Sequence, residues 1–302
     1  MNLRKMCLPP GWYPRDPAKI GEVLKTEAKN PQKTAGLKSP DRIIAAVSPH
    51  AGWYYSGALA AQAVAALAAG GSPDTVALIG GHLPQGMPVL FALEDAADTP
   101  LGPLEIDNEL REALLTSLRQ LSGLKTGEDR YQDNTIEVLL PMVKYFFPEA
   151  KLLWVRFPAD IRSFDAGKIL AGTAASLGRN ILVLGSTDLT HYGPNYGFSP
   201  KGLGREALEW VKTVNDKRFI DAVEEGNPRL ALERAEGEHS ACSAGSVLGV
   251  MGFAEEAAGK SGAASGNAGK LLSYGTSADI SMNDTGSLPD SFVGYGVFVW
   301  GN

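Results

Sequence analysis

Short apolar runs alternate with helix-like segments along the chain, and this alternation constrains the fold more than any other sequence feature. The runs Ile43–Ser48 (IIAAVS), Thr75–Gly80 (TVALIG) and Asn180–Gly185 (NILVLG) are bounded by turn residues, as strands buried within a sheet usually are. The Ala-rich segment Ser56–Ala69 and the amphipathic segment Asn108–Leu121 favour helices. The sequence therefore predicts an α/β fold with a mostly parallel or mixed central sheet and helices on both faces.

The other elements expected from the pattern complete this layout. Further strands are predicted at Val89–Leu93, Lys151–Phe157, Lys270–Gly275 and Phe292–Trp300. Further helices are predicted at Ile136–Phe147 with a bend or break at Pro141, and at Phe164–Leu177, Gly204–Glu225, Pro228–Ala235 and Ala241–Ala258. Because Lys38–Pro40 and Ser261–Gly269 are typical of loops rather than linkers, one domain over residues 1–302 is expected.

Charge and cysteine content narrow the class of protein. A net charge of -6 with no long run of either sign argues against nucleic-acid or anionic-membrane partners. The chain start lacks a signal-peptide pattern, and the most apolar stretch, Ala58–Ala69, is too short to span a bilayer. Two distant cysteines, Cys7 and Cys242, do not make a disulfide scaffold, so Cys7 is interpreted as structural or incidental. A cytoplasmic protein is the expectation.

Three of the four histidines follow predicted strands. His50 comes two residues after the first strand, His82 two residues after the second, and His191 in the segment that follows the Asn180–Gly185 strand. Ligands of open α/β sheets bind at the carboxyl ends of the strands. These histidines are therefore predicted to meet in one pocket, although any one of them alone could be a structural side chain. Imidazoles suit divalent first-row metals.

Two further residue types extend this constellation. Cys242 stands at the start of the helix predicted at Ala241–Ala258, where the helix N-terminus lowers a thiol pKa, so it is a candidate metal ligand or redox-active residue. The alternative is a small buried apolar residue. Asp188, three residues before His191, either orients that imidazole or caps a turn. His239 is interpreted as a surface side chain, with a place on the face of Cys242 as the alternative.

An aromatic run lies near the first histidine. The run consists of Trp53, Tyr54 and Tyr55 and begins three residues after His50. They are expected to cover the sheet edge, and the alternative is that they wall a pocket.

Several motifs occur in a fixed order along nearly the whole chain. The two longest are PHAGWYYSG at 49–57 and STDLTHYG at 186–193. The others are GWYP at 11–14, GGH at 80–82, DNTIEV at 133–138 followed by LP at 140–141, SYGTSAD at 273–279 and VGY at 293–295. Together they resemble the motifs of the Memo family, among them PHAGY-x-YSG, EHSxE and SSDLSHYG.

The resemblance implies a fold, a site and partners. It implies a fold related to the class III extradiol dioxygenases, in which two histidines and a carboxylate hold iron. The corresponding ligands of Memo proteins are two histidines and a cysteine, here His50, His82 and Cys242, while His191 matches an acid/base histidine and Asp188 the aspartate beside it. Iron or copper binding, redox chemistry, and association with a radical-SAM protein and an AMMECR-type protein are implied as well.

The chain also departs from the family pattern. The histidine of EHSxE is Asn134, the glycine and arginine that usually follow the cysteine are Ser243 and Ala244, and Gly81 stands where a Pro-Ser pair is common. Losing the arginine removes an anion clamp, so substrate and peptide recognition are expected to differ.

Three functions fit the sequence. The first is an iron- or copper-dependent, dioxygenase-like oxidoreductase in which His191 moves protons and Asp188 orients it. The second is a non-catalytic module that binds a small molecule or peptide on an inherited enzyme fold. The third, least favoured, is a zinc hydrolase.

Overall fold

A mixed sheet forms the centre of the structure, a computed structural model that describes residues 2–28, 42–259 and 266–301. The described strands are β1 Leu3–Arg4, β2 Ile43–Ser48, β3 Thr75–Leu83, β4 Val89–Phe91, β5 Ala96–Ala97, β6 Leu104–Glu105, β7 Thr126–Glu128, β8 Lys151–Pro158, β9 Ile181–Ser186, β10 His191–Tyr192, β11 Lys270–Thr276 and β12 Phe292–Gly301. The described helices are α1 Pro17–Ala28, α2 Trp53–Ala68, α3 Asn108–Leu118, α4 Asn134–Glu137, α5 Leu140–Phe146, α6 Arg162–Ser176, α7 Arg205–Trp210, α8 Asp216–Glu224, α9 Pro228–Glu238, α10 Ala244–Gly259 and α11 Ser277–Thr285.

The order of the strands brings the predicted strand ends together. Within the described chain the large sheet runs β10-β12-β2-β9-β3-β8-β4-β7, and β11 pairs with β12. Strands β2, β9, β3 and β8 are parallel neighbours, whereas β12 is antiparallel to β2 and β4 is antiparallel to β8. Strands β1, β5 and β6 form a second, three-stranded sheet that shares no strand with the large one. The predicted α/β class with a mixed sheet is therefore confirmed.

Helices cover both faces of the sheet, as predicted. Alternate residues of β2 point to opposite faces, so Val47 belongs to the core that includes residues of α6 and α10, whereas Ala46 belongs to the core that includes residues of α2 and α5. Glycines let α6 and α10 approach closely, because a Cβ on Gly167 would lie 1.9 Å from the carbonyl oxygen of Gly249. A second close contact joins Gly252 to the backbone of Phe164.

Several predicted helices differ from the structure. The helix predicted at Gly204–Glu225 is α7 and α8 joined by a π-helical turn, Val211–Asn215. The helix predicted at Ile136–Phe147 is the pair α4 and α5, because Pro141 fits the first turn of a new helix better than the interior of a long one. The helix predicted at Asn108–Leu121 ends at Leu118.

Two corrections affect the site directly. Strand β3 does not end at Gly80 but continues to Leu83, so His82 lies within it. Helix α10 begins at Ala244, so Cys242 lies in the preceding segment and not in the first turn of the helix.

The loop predictions fall largely on residues that are not described. Lys38–Pro40 lies outside the described residues, and of Ser261–Gly269 only 266–269 are described, without helix or strand. No described helix is long and apolar enough to cross a membrane. The single-domain organisation stays a prediction.

Candidate metal centre

His50 sits at the end of β2 and is almost completely buried, with 1% of its surface exposed. Its backbone N–H donates to the carboxylate of Asp188 over 2.7 Å, and its Nδ1 lies 2.7 Å from Oγ of Ser186 at the end of β9. The hydrogen bond at Nδ1 fixes the ring plane and leaves Nε2 facing the sulfur of Cys242.

His82 occupies a strained position in β3. Its φ of 56° is unusual for a residue with a side chain, and the pairing of β3 with β8 shifts register between Gly80 and Leu83. This irregularity turns the ring toward His50, with ring centroids 4.8 Å apart and the planes nearly perpendicular. The backbone N–H of His82 donates to Oγ of Ser243 over 3.3 Å, which ties the strained residue to the segment that carries Cys242.

Cys242 reaches the two imidazoles from a third segment. Its backbone N–H donates to the carbonyl of Asp188 over 3.1 Å, and its Sγ accepts from the backbone N–H of Asp188 over 3.3 Å. The same Sγ lies 3.3 Å from Nε2 of His50. The structure thus brings His50, His82 and Cys242 together, and one donor atom of each lies within 4.8 Å of the others.

The electrostatics of this cluster favour a thiolate. Burial acts in the opposite direction, but the charge of His50 and hydrogen bonds with His50 and His82 hold the pKa of the Cys242 thiol well below its usual 9.0. Burial also opposes protonation of His82, yet its contacts with Asp133 and Cys242 raise its pKa to about 10. The low pKa of the thiol therefore comes from the imidazoles. The sequence-based prediction had attributed it to a helix N-terminus, but α10 begins only at Ala244.

Asp188 lies between two histidines. Its Oδ2 is 3.9 Å from Nε2 of His50 and 3.8 Å from Nε2 of His191, and its side chain is buried. Burial opposes ionisation, but the charges of both histidines lower the pKa of Asp188. Burial likewise opposes protonation of His191, while the interaction with Asp188 raises its pKa. His191 is one-third exposed and stacks on Tyr196 at 5.0 Å between ring centroids.

A carboxylate that the sequence analysis missed holds His82. Oδ2 of Asp133 lies 3.0 Å from Nδ1 of His82, and it also accepts a hydrogen bond from the guanidinium of Arg156. That guanidinium is buried in β8 and bonds to the carbonyl of Gly81 and to the carboxylate of Asp129. The signal was present in the sequence, because an arginine inside the apolar strand LLWVRFP requires buried acceptors.

A cavity of about 620 Å³ opens onto this cluster, and we call it the front cavity. His50, His82, Asp188 and His191 line it on one side. Its aromatic walls are Trp12, Tyr54, Tyr55, Tyr196 and Tyr295. Within residues 2–28, 42–259 and 266–301, no lysine or arginine lines this cavity.

The aromatic run after His50 is divided between two roles. Tyr54 and Tyr55 line the front cavity, so the pocket-wall alternative holds for them. Trp53 is buried against Tyr13 and donates its Nε1–H to the carbonyl of Val138.

The departures from the family pattern fit one another in the structure. A Cβ on Gly81 would lie 2.3 Å from Cβ of Ser243, so the serine occupies space that the glycine leaves free. Ala244 is 1% exposed and offers no charge to the cavity. Asn134 donates its side-chain N–H to the backbone carbonyl of His50 over 2.9 Å, and so supports that residue without adding a titratable group.

The remaining candidates lie away from the three donor atoms. His239 ends α9 with a φ of 53° and packs its ring against Phe198, so it does not share a helical face with Cys242. Cys7 contacts the buried carboxylate of Glu137 through both its backbone N–H and its sulfur. Burial and this contact raise the pKa of Cys7 to about 12, which fits a structural thiol.

Comparison with known proteins identifies the family. A family model described as "Memo-like protein" matches residues 4–299. A MEMO1 family protein of Methanopyrus kandleri is 29% identical over 282 residues, which cover 89% of this chain and 90% of the relative. One of Pyrococcus furiosus is 28% identical over 98% of both chains, and one of Pyrobaculum arsenaticum is 30% identical over 65% of this chain and 71% of its own. The family model spans almost the entire sequence, and the chain therefore belongs to the Memo family.

Proposed function

We propose that this chain is a metal-dependent redox protein in which His50, His82 and Cys242 bind one iron or copper ion. The observation that carries the proposal is the convergence of two imidazole nitrogens and one sulfur within 4.8 Å, delivered by three separate segments. An accidental grouping of these residue types, beside a cavity and with a lowered thiol pKa, is uncommon in structural cores.

The donor geometry fits a transition-metal ion. Nitrogen and sulfur ligands bind such ions at about 2.0–2.3 Å, so two ligands of a tetrahedral site lie about 3.5 Å apart. The separation of 3.3 Å between Sγ of Cys242 and Nε2 of His50 agrees with this, and the third donor atom, on His82, lies within 4.8 Å of both. Partners at Nδ1 of both imidazoles, Ser186 and Asp133, leave the Nε2 atoms for the ion.

The side chains around the centre would support proton transfer. A bound iron or copper ion would supply one-electron chemistry at the edge of the front cavity. His191 presents its ring to that cavity, and the ionised carboxylate of Asp188 favours its protonated form. His191 would therefore hold a proton for transfer to a ligand in the cavity, while Asp188 fixes the ring orientation.

The donor atoms indicate the class of metal ion, and the family resemblance indicates which ion within that class. Imidazole and thiolate ligands suit iron, copper and zinc, so the donor set gives the class of ion. The preference for iron or copper over zinc, and the expected radical-SAM and AMMECR-type partners, rest on the resemblance to the family.

Metal analysis of matched variants tests the proposal. The wild-type chain and the variants His50→Ala, Cys242→Ser and His239→Ala are purified without oxygen from cells supplied with iron, copper and zinc. Wild type and His239→Ala, whose histidine lies outside the cluster, are expected to hold about one ion per chain, and the other two less than about a tenth. Equal metal in all four proteins would refute the metal centre, and zinc alone would replace the redox function by the hydrolase.

A second function, a non-catalytic binding module, is favoured by the walls of the front cavity. Among the residues that the structure describes, five aromatic side chains and no lysine or arginine line a space large enough for a small molecule. Calorimetry with aromatic ligands on metal-free protein tests it. Binding that is unchanged in the His191→Ala, Cys242→Ser double variant would place the ligand away from the metal ligands, whereas loss of binding would link the two.

A further inference from the structure

We propose that a second cavity lets small uncharged electrophiles reach the sulfur of Cys242 without passing through the front cavity. This space of about 470 Å³, which we call the back cavity, lies between the turn Pro194–Tyr196 and the end of α9. Cys242 and His239 are among the side chains that line it. The inference does not depend on a bound metal and goes beyond the proposed function.

The two cavities expose different atoms of the same cluster. His50 and His82 line the front cavity, whereas Cys242 does not. Cys242 lines the back cavity, whereas the two imidazoles do not. Because Cys242 is partly exposed, its access to solvent runs through the back cavity.

A pair of stacked rings separates the two spaces. His191 and Tyr196 line both cavities, and their ring planes are inclined by only 22°. Tyr196 belongs to the short 3-10 helix that follows β10. The two rings therefore form part of the boundary that the two cavities share.

The segment that carries Cys242 is fixed in place, so this exposure is built into the fold. Two hydrogen bonds join Cys242 to the backbone of Asp188, and Ala241 forms an isolated antiparallel bridge with Leu189. The sulfur is thereby held at the inner end of the cavity and close to His50.

Charge selects which reagents can enter. Glu236 lines the back cavity and is exposed, and none of the described lysines or arginines lines it. An anionic reagent approaching Cys242 would be repelled by this carboxylate. Neutral molecules, with hydrogen peroxide as the smallest natural example, are not opposed in this way.

The reaction with a hydroperoxide balances as a simple displacement. The thiolate attacks one peroxide oxygen, an S–O bond forms as the O–O bond breaks, and the other oxygen leaves as hydroxide, which the buffer protonates to water. The sulfur is oxidised to sulfenic acid and the peroxide is reduced. A metal ligand would then be modified from the side opposite to the front cavity.

Alkylation of metal-free protein with iodoacetamide tests the route. An S–C bond forms as the C–I bond breaks, so the rate of labelling measures how easily the reagent reaches the sulfur. Labelling of Cys242 is followed by peptide mass spectrometry, which separates it from Cys7. The variant Glu236→Trp fills the back cavity from α9, and Ser281→Trp fills the front cavity from α11. Glu236→Trp is expected to slow labelling about tenfold, and Ser281→Trp to leave it within about twofold.

Comparison of a neutral and an anionic alkylating reagent tests whether Glu236 slows the approach of anions to Cys242. Iodoacetate should label Cys242 more slowly than iodoacetamide. The ratio of the iodoacetamide rate to the iodoacetate rate should be at least about fivefold larger for Cys242 than for free cysteine, and Glu236→Gln should reduce that ratio. Near-ultraviolet circular dichroism verifies that each variant is folded. Labelling slowed by Ser281→Trp, or unchanged in Glu236→Trp, would overturn the proposal, while metal binding by the same variants reports on the proposed function separately.

Discussion

At the scale of single residues, the partner of each histidine decides which ring nitrogen faces the site. Asp133 holds Nδ1 of His82 and is itself held by Arg156. Burial acts against ionisation, but His82 and Arg156 keep the pKa of Asp133 well below its usual value. The carboxylate is therefore negative at neutral pH and makes the His82 ring a better ligand.

Replacing Asp133 with Asn should weaken metal binding while the three ligands stay in place. The loss of the charge-assisted contact is expected to lower metal affinity about 10- to 100-fold. Competition titration against a chelator measures it. Asp160→Asn serves as the control, since Asp160 pairs with Arg162 away from the cluster, and an Asp133→Asn affinity equal to that control would contradict the role given to Asp133.

Metal uptake near neutral pH should release a proton from His82. With a pKa of about 10 the ring is protonated in the metal-free protein, whereas a metal requires the neutral imidazole. The Cys242 thiol, with its pKa well below 9.0, contributes little. Affinity should therefore rise with pH up to about 10.

Calorimetry in buffers of different ionisation enthalpy counts these protons. About one proton per metal is expected at pH 7. A binding enthalpy that is the same in every buffer would show that His82 is already neutral.

The sequence predicted the residues of the cluster better than their environment. His50, His82 and His191 followed from their places after buried strands, because parallel strands present their carboxyl ends at one edge. Cys242 was predicted from its place at the start of a helix, which in the structure begins only at Ala244, and from the family resemblance. Arg156 in an apolar strand indicated a buried acceptor, but that Asp133 is one of its acceptors depends on β8 lying beside β3.

At the scale of elements, the division of the predicted helix Gly204–Glu225 has a structural reason. The π-helical turn Val211–Asn215 leads directly to Asp216, the first residue of α8, whose carboxylate is fully buried. Thr190 donates its backbone N–H and its hydroxyl to this carboxylate, and Tyr274 of β11 donates its hydroxyl. Helical periodicity alone gave no sign of this three-way junction.

Asp216 should make stability depend on pH. Burial outweighs the hydrogen bonds and raises the pKa of Asp216 to about 6 from 3.8. Between about pH 4 and 6, Asp216 is protonated in the folded state and ionised in the unfolded state. The free energy of unfolding therefore falls as pH rises through this window. The penalty at pH 7 is about 3 kcal/mol.

Asp216→Asn should remove this dependence, because the amide stays neutral and can keep the contacts with Thr190 and Tyr274. Between pH 4 and pH 7, the free energy of unfolding of the variant is expected to rise by about 3 kcal/mol relative to that of wild type. Denaturant unfolding at several pH values measures this difference. A difference between the two proteins that is constant across this range would contradict the raised pKa.

At the scale of the whole molecule, the site is assembled from segments that are distant in sequence and adjacent only through the sheet order. Strands β2, β9 and β3 lie side by side, so their ends carry His50, the 186–191 segment and His82 to one place. Alternating strands and helices predicted the class of fold. The order of the strands and the existence of two cavities depend on long-range packing that local patterns do not encode.

An anomalous-scattering map from crystals grown with a defined iron or copper supply tests the central claim most directly. The account predicts one peak at about 2.0–2.3 Å from a ring nitrogen of His50, a ring nitrogen of His82 and the sulfur of Cys242. A metal-supplied crystal with no peak there, or with its peak at other residues, would contradict it.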